Sequence, residues 1–338
     1  MRGVAALAGA LAVALALAFA GAACSSGDEP ADPGGADGGA REGGTRSTGL
    51  PATCVRGTKN TSKPAACNGA AELCERTFDA VVTPGTHNAM SNADEKWSPP
   101  NQNHGLVRQL SDGIRGMLLD LHYFDPEAGG NAPDRIDDLT TVDQTYLCHG
   151  PCALGRTRAL DAFCGLTKFL DENPGEILTL ILETYTKDED TDAVLRASGL
   201  ADYAFTHQVG QPWPTLRSMI DANKRLVVFV EKGGGTPAYL HPAYDGEMFD
   251  TPYSFEKQSD FSCKLGRGRA GSPLFLVNHW LGRPFPDVAF AQEVNVAAVL
   301  GKRIDDCTKE GGKKPFLVAV DYYDVGDLFA TVRKANGL

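Results

Sequence analysis

Short apolar runs of strand length recur along the chain between polar segments. They fall at residues 78–83, 114–119, 145–148, 177–182, 203–206, 226–230, 274–277 and 316–320. Between them, residues 105–112, 156–172, 192–198 and 215–222 space Leu, Ala and Phe at helical intervals. Strands alternating with helices predict a parallel sheet, and eight strands predict an α/β fold of the TIM-type (β/α)8 class. The fifth run, YAFTHQ, is short and half polar, so closure is expected to be regular or distorted there. Residues 232–271 form a long, Gly-rich, aromatic segment that reads as an insertion, the kind that supplies lids or substrate walls. Trp97, Tyr239 and Phe249, in this segment and in the loop at 90–104, suit either contact with a membrane or sugar ring or packing under the loops.

Chemistry in such barrels collects just past the carboxyl ends of the strands, where loops vary and strands fix their roots. In FDAVVTPGTHN the apolar Phe78, Val81 and Val82 give way at Pro84 and Gly85 to a turn, followed by His87 and Asn88. The stretch TYLCHG repeats the design with His149. Two histidines at two strand ends make a candidate acid and base pair. The other ends carry Asp120 with His122, Glu183, Glu231, Asn278 with His279, and Asp321. Glu231 beside Lys232 also reads as a solvated pair, and His279 beside Trp280 as a packed core histidine.

Ahead of the barrel, residues 1–23 read as an export signal: Arg2 precedes an uncharged run rich in Ala, Leu and Val. Cys24, after small residues and before Ser25 and Ser26, resembles the lipid-attachment box of bacterial lipoproteins, with Gly21 where that pattern has Leu. Ordinary cleavage after Ala23 and an uncleaved anchor are the alternatives. Residues 25–49 hold no aromatic residue and no Val, Ile, Leu or Met, which predicts a disordered tether. The expected organisation is therefore a signal at 1–23, a lipid-anchored linker at 24–50 and a barrel at 51–338, exported to the cell envelope or secreted. Eight cysteines remain after Cys24, an even set that reads as up to four disulfides, with Cys148 bridged to Cys152 or Cys164 beside His149. A zinc cluster is the rival, and no CxxC pair supports it. The formal charge of −11 opposes nucleic-acid binding and broad adsorption to anionic lipid. GRGRAG at 266–271 matches a dinucleotide fingerprint in letters, but it follows a polar loop and runs into a strand, so it reads as loop. The motifs of serine hydrolases, P-loop proteins and HExxH metalloproteases are missing from the sequence.

Five segments in order carry a resemblance: GTHN at 85–88, QLSDGIRGMLLD at 109–120, LCHG at 147–150, FLDENPGEILTLILETY at 169–185 and FLVAVDYY at 316–323. Together they resemble the phosphatidylinositol-specific phospholipase C X domain, and most closely the PLC-like phosphodiesterases of plants, fungi and bacteria. The resemblance implies His87 as general base toward the inositol 2-hydroxyl, His149 as general acid toward the departing oxygen, and Asp321 as the carboxylate that orients His87. It also implies a positive group at the phosphate. Asn88, Asp120 and Glu183 fall on three positions of the family's calcium site, and their hard oxygens suit calcium. Leu118 stands where the calcium-dependent eukaryotic enzymes have Glu, and His122 where the metal-free enzymes have Arg, so metal dependence is left open. Arg115, His122, Glu231, Asn278 and His279 complete the candidates as substrate-binding residues, Arg115 if it points into the site.

The resemblance makes a phospholipid or related phosphodiester the expected substrate, and the lipid anchor the expected membrane contact. A monomer with no organic cofactor is expected. Two other functions stay in view: glycerophosphodiester hydrolysis, whose usual Glu and Asp ligands Leu118 disrupts, and a catalytically silent barrel that binds lipid or glycan. The presence of both histidines argues against the silent barrel.

Overall fold

The computed structural model describes residues 49–338. The strands are β1 (Thr83–Thr86), β2 (Gly116–Asp125), β3 (Gly130–Ala132), β4 (Thr145–Leu147), β5 (Thr157–Arg158), β6 (Leu178–Thr184), β7 (Leu226–Val230), β8 (Leu240–Pro242), β9 (Met248–Asp250), β10 (Leu274–His279) and β11 (Leu317–Val320). Eight of them run parallel in the order β8, β7, β6, β2, β1, β11, β10, β9. Among the described residues no pairing joins β8 to β9, so the TIM-type barrel is open along that seam. The helices are α1 (Leu106–Asp112), α2 (Thr141–Gln144), α3 (Ala159–Glu172), α4 (Asp188–Ser198), α5 (Leu216–Asp221), α6 (Val288–Val294), α7 (Ala297–Gly311) and α8 (Leu328–Ala335). Among the described residues, none is long and apolar enough to cross a membrane. The signal, Cys24 and nearly all of the tether lie outside the described residues.

Alternation along the strands sorts side chains into two cores. Met117, Leu119, Leu180, Leu182, Val228, Val318 and Val320 belong to one cluster with residues of α3, α4, α7 and α8. Leu118, Ile181, Phe229, Leu276, Leu317 and Ala319, one residue out of phase with them, belong to a second cluster inside the barrel. Two residues beyond these interior positions, the same parity turns Asp120, Glu183, Glu231 and Asp321 to the inner face of the rim and Asn278 to the buried interior beneath it.

The structure corrects four expected elements. The first strand begins at Thr83, because Phe78–Ala80 form a 3-10 turn whose Phe78 joins the interior cluster with Trp213 and Phe316. Pro84 is tolerated within β1 because its missing N–H faces the side of β2, which begins only at Gly116. The third predicted strand, β4, is not a barrel stave: it pairs antiparallel with the outer end of β2 and with β5. The fifth, at 203–206, is replaced by a 3-10 turn and a single bridge from Ala204 to Leu226. The fifth and sixth staves are instead β8 and β9, both within the supposed insertion at 232–271. Trp97, Tyr239 and Phe249 are buried packing residues; the Tyr239 hydroxyl donates to Asp192, and Phe249 stacks on Phe275 at 4.4 Å.

The eight described cysteines pair as Cys54–Cys164, Cys67–Cys74, Cys148–Cys152 and Cys263–Cys307. At the foot of the barrel the chain leaves no room beside β11. A Cβ on Gly116 would lie 2.2 Å from Leu317 Cδ1, so glycine is what lets Leu317 fill the floor. Gly116→Ala should therefore destabilise the fold by about 1–3 kcal/mol in denaturant unfolding, through overpacking. Combined with Leu317→Val, part of that loss should return; purely additive losses would show that the two positions do not compete for space.

Candidate active site

At the carboxyl end of β1, the His87 N–H donates to Val320 O at 3.0 Å, so the register of β1 on β11 is still held there. That register puts His87 Nδ1 2.8 Å from Asp321 Oδ1. A carboxylate only accepts, so Nδ1 carries the proton, and in the neutral ring the lone pair is on Nε2. Asn101 Nδ2 also donates to Asp321 Oδ1, at 3.1 Å, and Gln102 Nε2 donates to the carbonyls of His87 (2.8 Å) and Val320 (3.0 Å). Trp280 lies flat on the His87 ring, with centroids 3.7 Å apart and planes 5° apart. The residues just after the pair, Asn88 (φ 43°) and Tyr322 (φ 46°), both adopt left-handed backbone. Asparagine takes that conformation readily, but for a bulky tyrosine it is strained. Tyr322 is held in it by its N–H on Asn101 O (2.8 Å) and its hydroxyl on Pro100 O (2.6 Å).

His149 enters from the antiparallel side structure. It follows β4 inside the small ring closed by Cys148–Cys152, and the Cys148 N–H donates to Asp120 O at 3.2 Å. Asn131, in β3, grips the same ring: its Nδ2 donates to Gly150 O (3.0 Å) and its Oδ1 accepts from Cys152 N–H (2.7 Å). His149 and His87 border one cavity of about 390 Å³, together with Asn88, Asp120, Glu183, Tyr185, Glu231, Tyr253, Arg267 and Trp280. Desolvation pushes the His149 pKa down, His87 adds a smaller push, and Asp321 and Glu183 pull upward. The side chain still meets solvent at the rim, which damps the shift.

The cavity shared by the histidines also carries acidic residues. Burial, reinforced by Glu183 and Glu231, pushes the Asp120 carboxyl well above the usual carboxylate range. Glu231 is also raised, mainly by burial, although Arg267 opposes it. Arg267 Nη1 donates to Glu231 at 2.8 Å while Nε and Nη2 hold Asp250 at 2.9 and 2.7 Å, between the rings of Tyr244 and Tyr253. The Tyr185 hydroxyl donates to Glu183 Oε1 at 2.5 Å. Asn88, Asp120 and Glu183 all border the cavity, and among the described residues none donates a hydrogen bond to the Asp120 carboxylate, so this donor set fits a hard cation. Among the described residues, no three His, Cys, Asp or Glu side chains are arranged to hold a metal, so further oxygen ligands would have to complete the shell.

Four expected substrate contacts lie outside the cavity's lining. Arg115 has the outward parity of Met117; it binds Glu176 at 2.6 Å and the carbonyls of Leu110 and Ile114, at the foot of the barrel. His279 is one residue out of phase with Asn278, is fully buried outside the barrel and bonds Val294 O at 2.9 Å. Burial drives its pKa down to about 3. Asn278 has the inward parity but is buried beneath the cavity, where its amide supports Asp250 (3.1 Å) and Thr251 O (2.7 Å). His122 is buried against Tyr185, 4.1 Å between centroids, and desolvation takes its pKa down to about 4. It is therefore neutral and cannot replace an arginine's charge.

Sequence reasoning missed Trp280, Asp250 and Arg267. Trp280 was within reach, since it continues the inward parity of Leu276 and Asn278. Asp250 ends a three-residue strand and Arg267 lies in the loop at 266–271, where no period marks either. Gly268 anchors that loop: at φ 83° a Cβ would lie 2.2 Å from Met248 O.

The family model described as PI-PLC X 1 matches residues 73–336. The chain belongs to the PI-PLC X family. A PI-PLC X domain-containing protein 1 of Arthroderma benhamiae is 29% identical over 298 residues, covering 82% of this chain and 92% of that one. A second protein of that fungus, described as an uncharacterized secreted protein, is 25% identical over 293 residues, covering 79% and 62%. Among solved structures, a phosphatidylinositol-specific phospholipase C from Staphylococcus aureus matches 78% of this chain and 94% of its own at 12% identity, with a TM-score of 0.49. Membership of this family supports a phosphodiesterase-type enzyme.

The cavity's charges make His149 an internal probe. Its NMR titration midpoint should fall below the ordinary histidine value of about 6.5. Glu183→Gln, which removes a charge that favours the protonated ring, should lower it further; a rise would contradict this electrostatic arrangement.

Proposed function

We propose that the chain is an exported phosphodiesterase of the phospholipase C type, cleaving phosphatidylinositol or a closely related phosphodiester by two-histidine catalysis. The observation that carries this reading is the pairing of His87 with Asp321 on the same cavity that His149 borders. His87 Nε2 takes the proton of the 2-hydroxyl, whose oxygen attacks the neighbouring phosphorus. The bond from phosphorus to the glycerol oxygen breaks, and His149 gives that oxygen its proton. Diacylglycerol and a cyclic inositol phosphate result, with His87 protonated and His149 neutral. Asp321 fixes the tautomer and stabilises the imidazolium, as the carboxylate of a catalytic triad does. Trp280 keeps the ring from turning.

Arg267 suits a sugar hydroxyl or phosphate oxygen, because its guanidinium is already oriented by Glu231 and Asp250. Asn88, Asp120 and Glu183 would hold a calcium ion, which when bound supplies positive charge at the phosphate. The sequence of residues 1–24 supports export, with Cys24 as lipid anchor bringing the cavity to a membrane. Glycerophosphodiester hydrolysis draws no specific support from the cavity, and a silent barrel would not need the Asp321 partner on His87.

Phosphorus NMR of the mature protein with phosphatidylinositol micelles tests the reading. A cyclic inositol phosphate resonance should appear, and His87→Ala and His149→Ala should each reduce its rate by roughly 10²- to 10⁴-fold. A chelator should suppress turnover and calcium restore it. Turnover of other phosphodiesters but not phosphatidylinositol would overturn the substrate assignment, and unimpaired histidine variants would overturn the mechanism. Because His149 must be protonated in the free enzyme, kcat/KM should fall as pH rises through its depressed pKa, beginning below about 6.5.

A further inference from the structure

A larger cavity, of about 780 Å³, lies apart from the histidines, between residues 258–264 and one face of α7. The Cys263–Cys307 disulfide fastens that segment to the helix, so the groove is shaped before any ligand arrives. Arg303 borders it and is 5% exposed. Among the described residues no carboxylate pairs with it: Asp306 is taken by Lys302 at 2.5 Å, and Asp306 and Glu310 act on Arg303 only through space. Its guanidinium lies over the rings of Phe255 (5.1 Å) and Phe261 (4.6 Å). Nη1 reaches Cys263 Sγ at 3.9 Å and Nη2 reaches Asn278 O at 3.4 Å, both long contacts, while Nε has no partner. Desolvation brings its pKa down to about 10, so the charge persists at neutral pH.

A buried, unpaired guanidinium is costly, and folds that keep one commonly supply an anion. Here Lys264, Lys302 and Lys309 border the same groove, and the four cations face only Asp306 and Glu310. The surplus of two positive charges stands out on a chain of net charge −11. It matches the charge of a phosphate monoester, about −1.5 to −2, better than that of a single carboxylate. We propose that this groove is a second ligand site, taking a phosphate monoester group between Arg303 and the lysines of α7. The assignment is independent of the catalytic reading. The phosphate can belong to a soluble compound or to a lipid headgroup.

The test follows the Arg303 Nε–H resonance of the full mature protein, assigned by its loss in Arg303→Lys, during titration with inorganic phosphate at constant ionic strength against a chloride control. A saturable shift with a millimolar or tighter Kd is expected. Lys264→Gln combined with Lys309→Gln, both exposed and in no ion pair among the described residues, should weaken it by about tenfold or more while His149 resonances stay unchanged. A parallel arm floats the protein with phosphatidylcholine vesicles with and without phosphatidic acid. Capture by phosphatidic acid that the double variant loses supports the site with a lipid source; phosphate binding without capture supports it with a soluble source. No saturable phosphate shift, or a shift that the double variant leaves intact, overturns the proposal.

Discussion

The register of β1 on β11 is the constraint on which the candidate site depends. Thr86 faces Val320 across the ladder, and the next residue of each strand is a member of the His87–Asp321 pair. A slip of one residue would turn one of the two away from the cavity. Much around the pair serves that register: Gly116 and Leu317 fill the floor beneath it, Gln102 clamps both carbonyls above it, and the strained turn at Tyr322 ends β11 directly after the carboxylate. His149 is placed differently, by a short disulfide ring and an asparagine on the side sheet, so the acid and base candidates are held by separate devices on one cavity.

Charges of both signs border that cavity. The two histidines share the cavity with Asp120, Glu183 and Glu231, at the ends of β2, β6 and β7, and Arg267 offsets part of the acidic excess. Asp321 and Glu183 pull His149 toward its protonated form while desolvation pushes the other way. Neutral His122 leaves Arg267 as the permanent cation bordering the cavity among the described residues, which is why a cation at Asn88, Asp120 and Glu183 suits the proposed reaction.

How much of this was legible depended on period. The long staves announced themselves, and inward parity alone delivers Asp120, Glu183, Glu231 and Asp321 to the rim. The same parity excludes Arg115 and His279, so their misplacement was correctable from the sequence. β8 and β9 were not legible: three residues carry no period, and Pro242 and Asp250 disguise them as loop. Tyr203–Thr206 looked like a stave because its aromatic residues are buried as a strand's would be, yet Tyr203 closes a 3-10 turn and Phe205 packs against Trp213. Arg267 depends on tertiary contacts with Asp250, Glu231 and two tyrosines, none near it in sequence except Tyr253.

The most direct test of the division of labour compares leaving groups. His149 is required only if the departing oxygen needs a proton, whereas His87 is required whatever departs. With an inositol phosphodiester bearing p-nitrophenol, whose anion leaves unaided, His149→Ala should retain nearly normal turnover while His87→Ala stays crippled. With an alkyl glycerol leaving group both variants should be crippled. Equal losses for His149→Ala on the two substrates would contradict its role as the acid and leave the two-histidine mechanism without its second half.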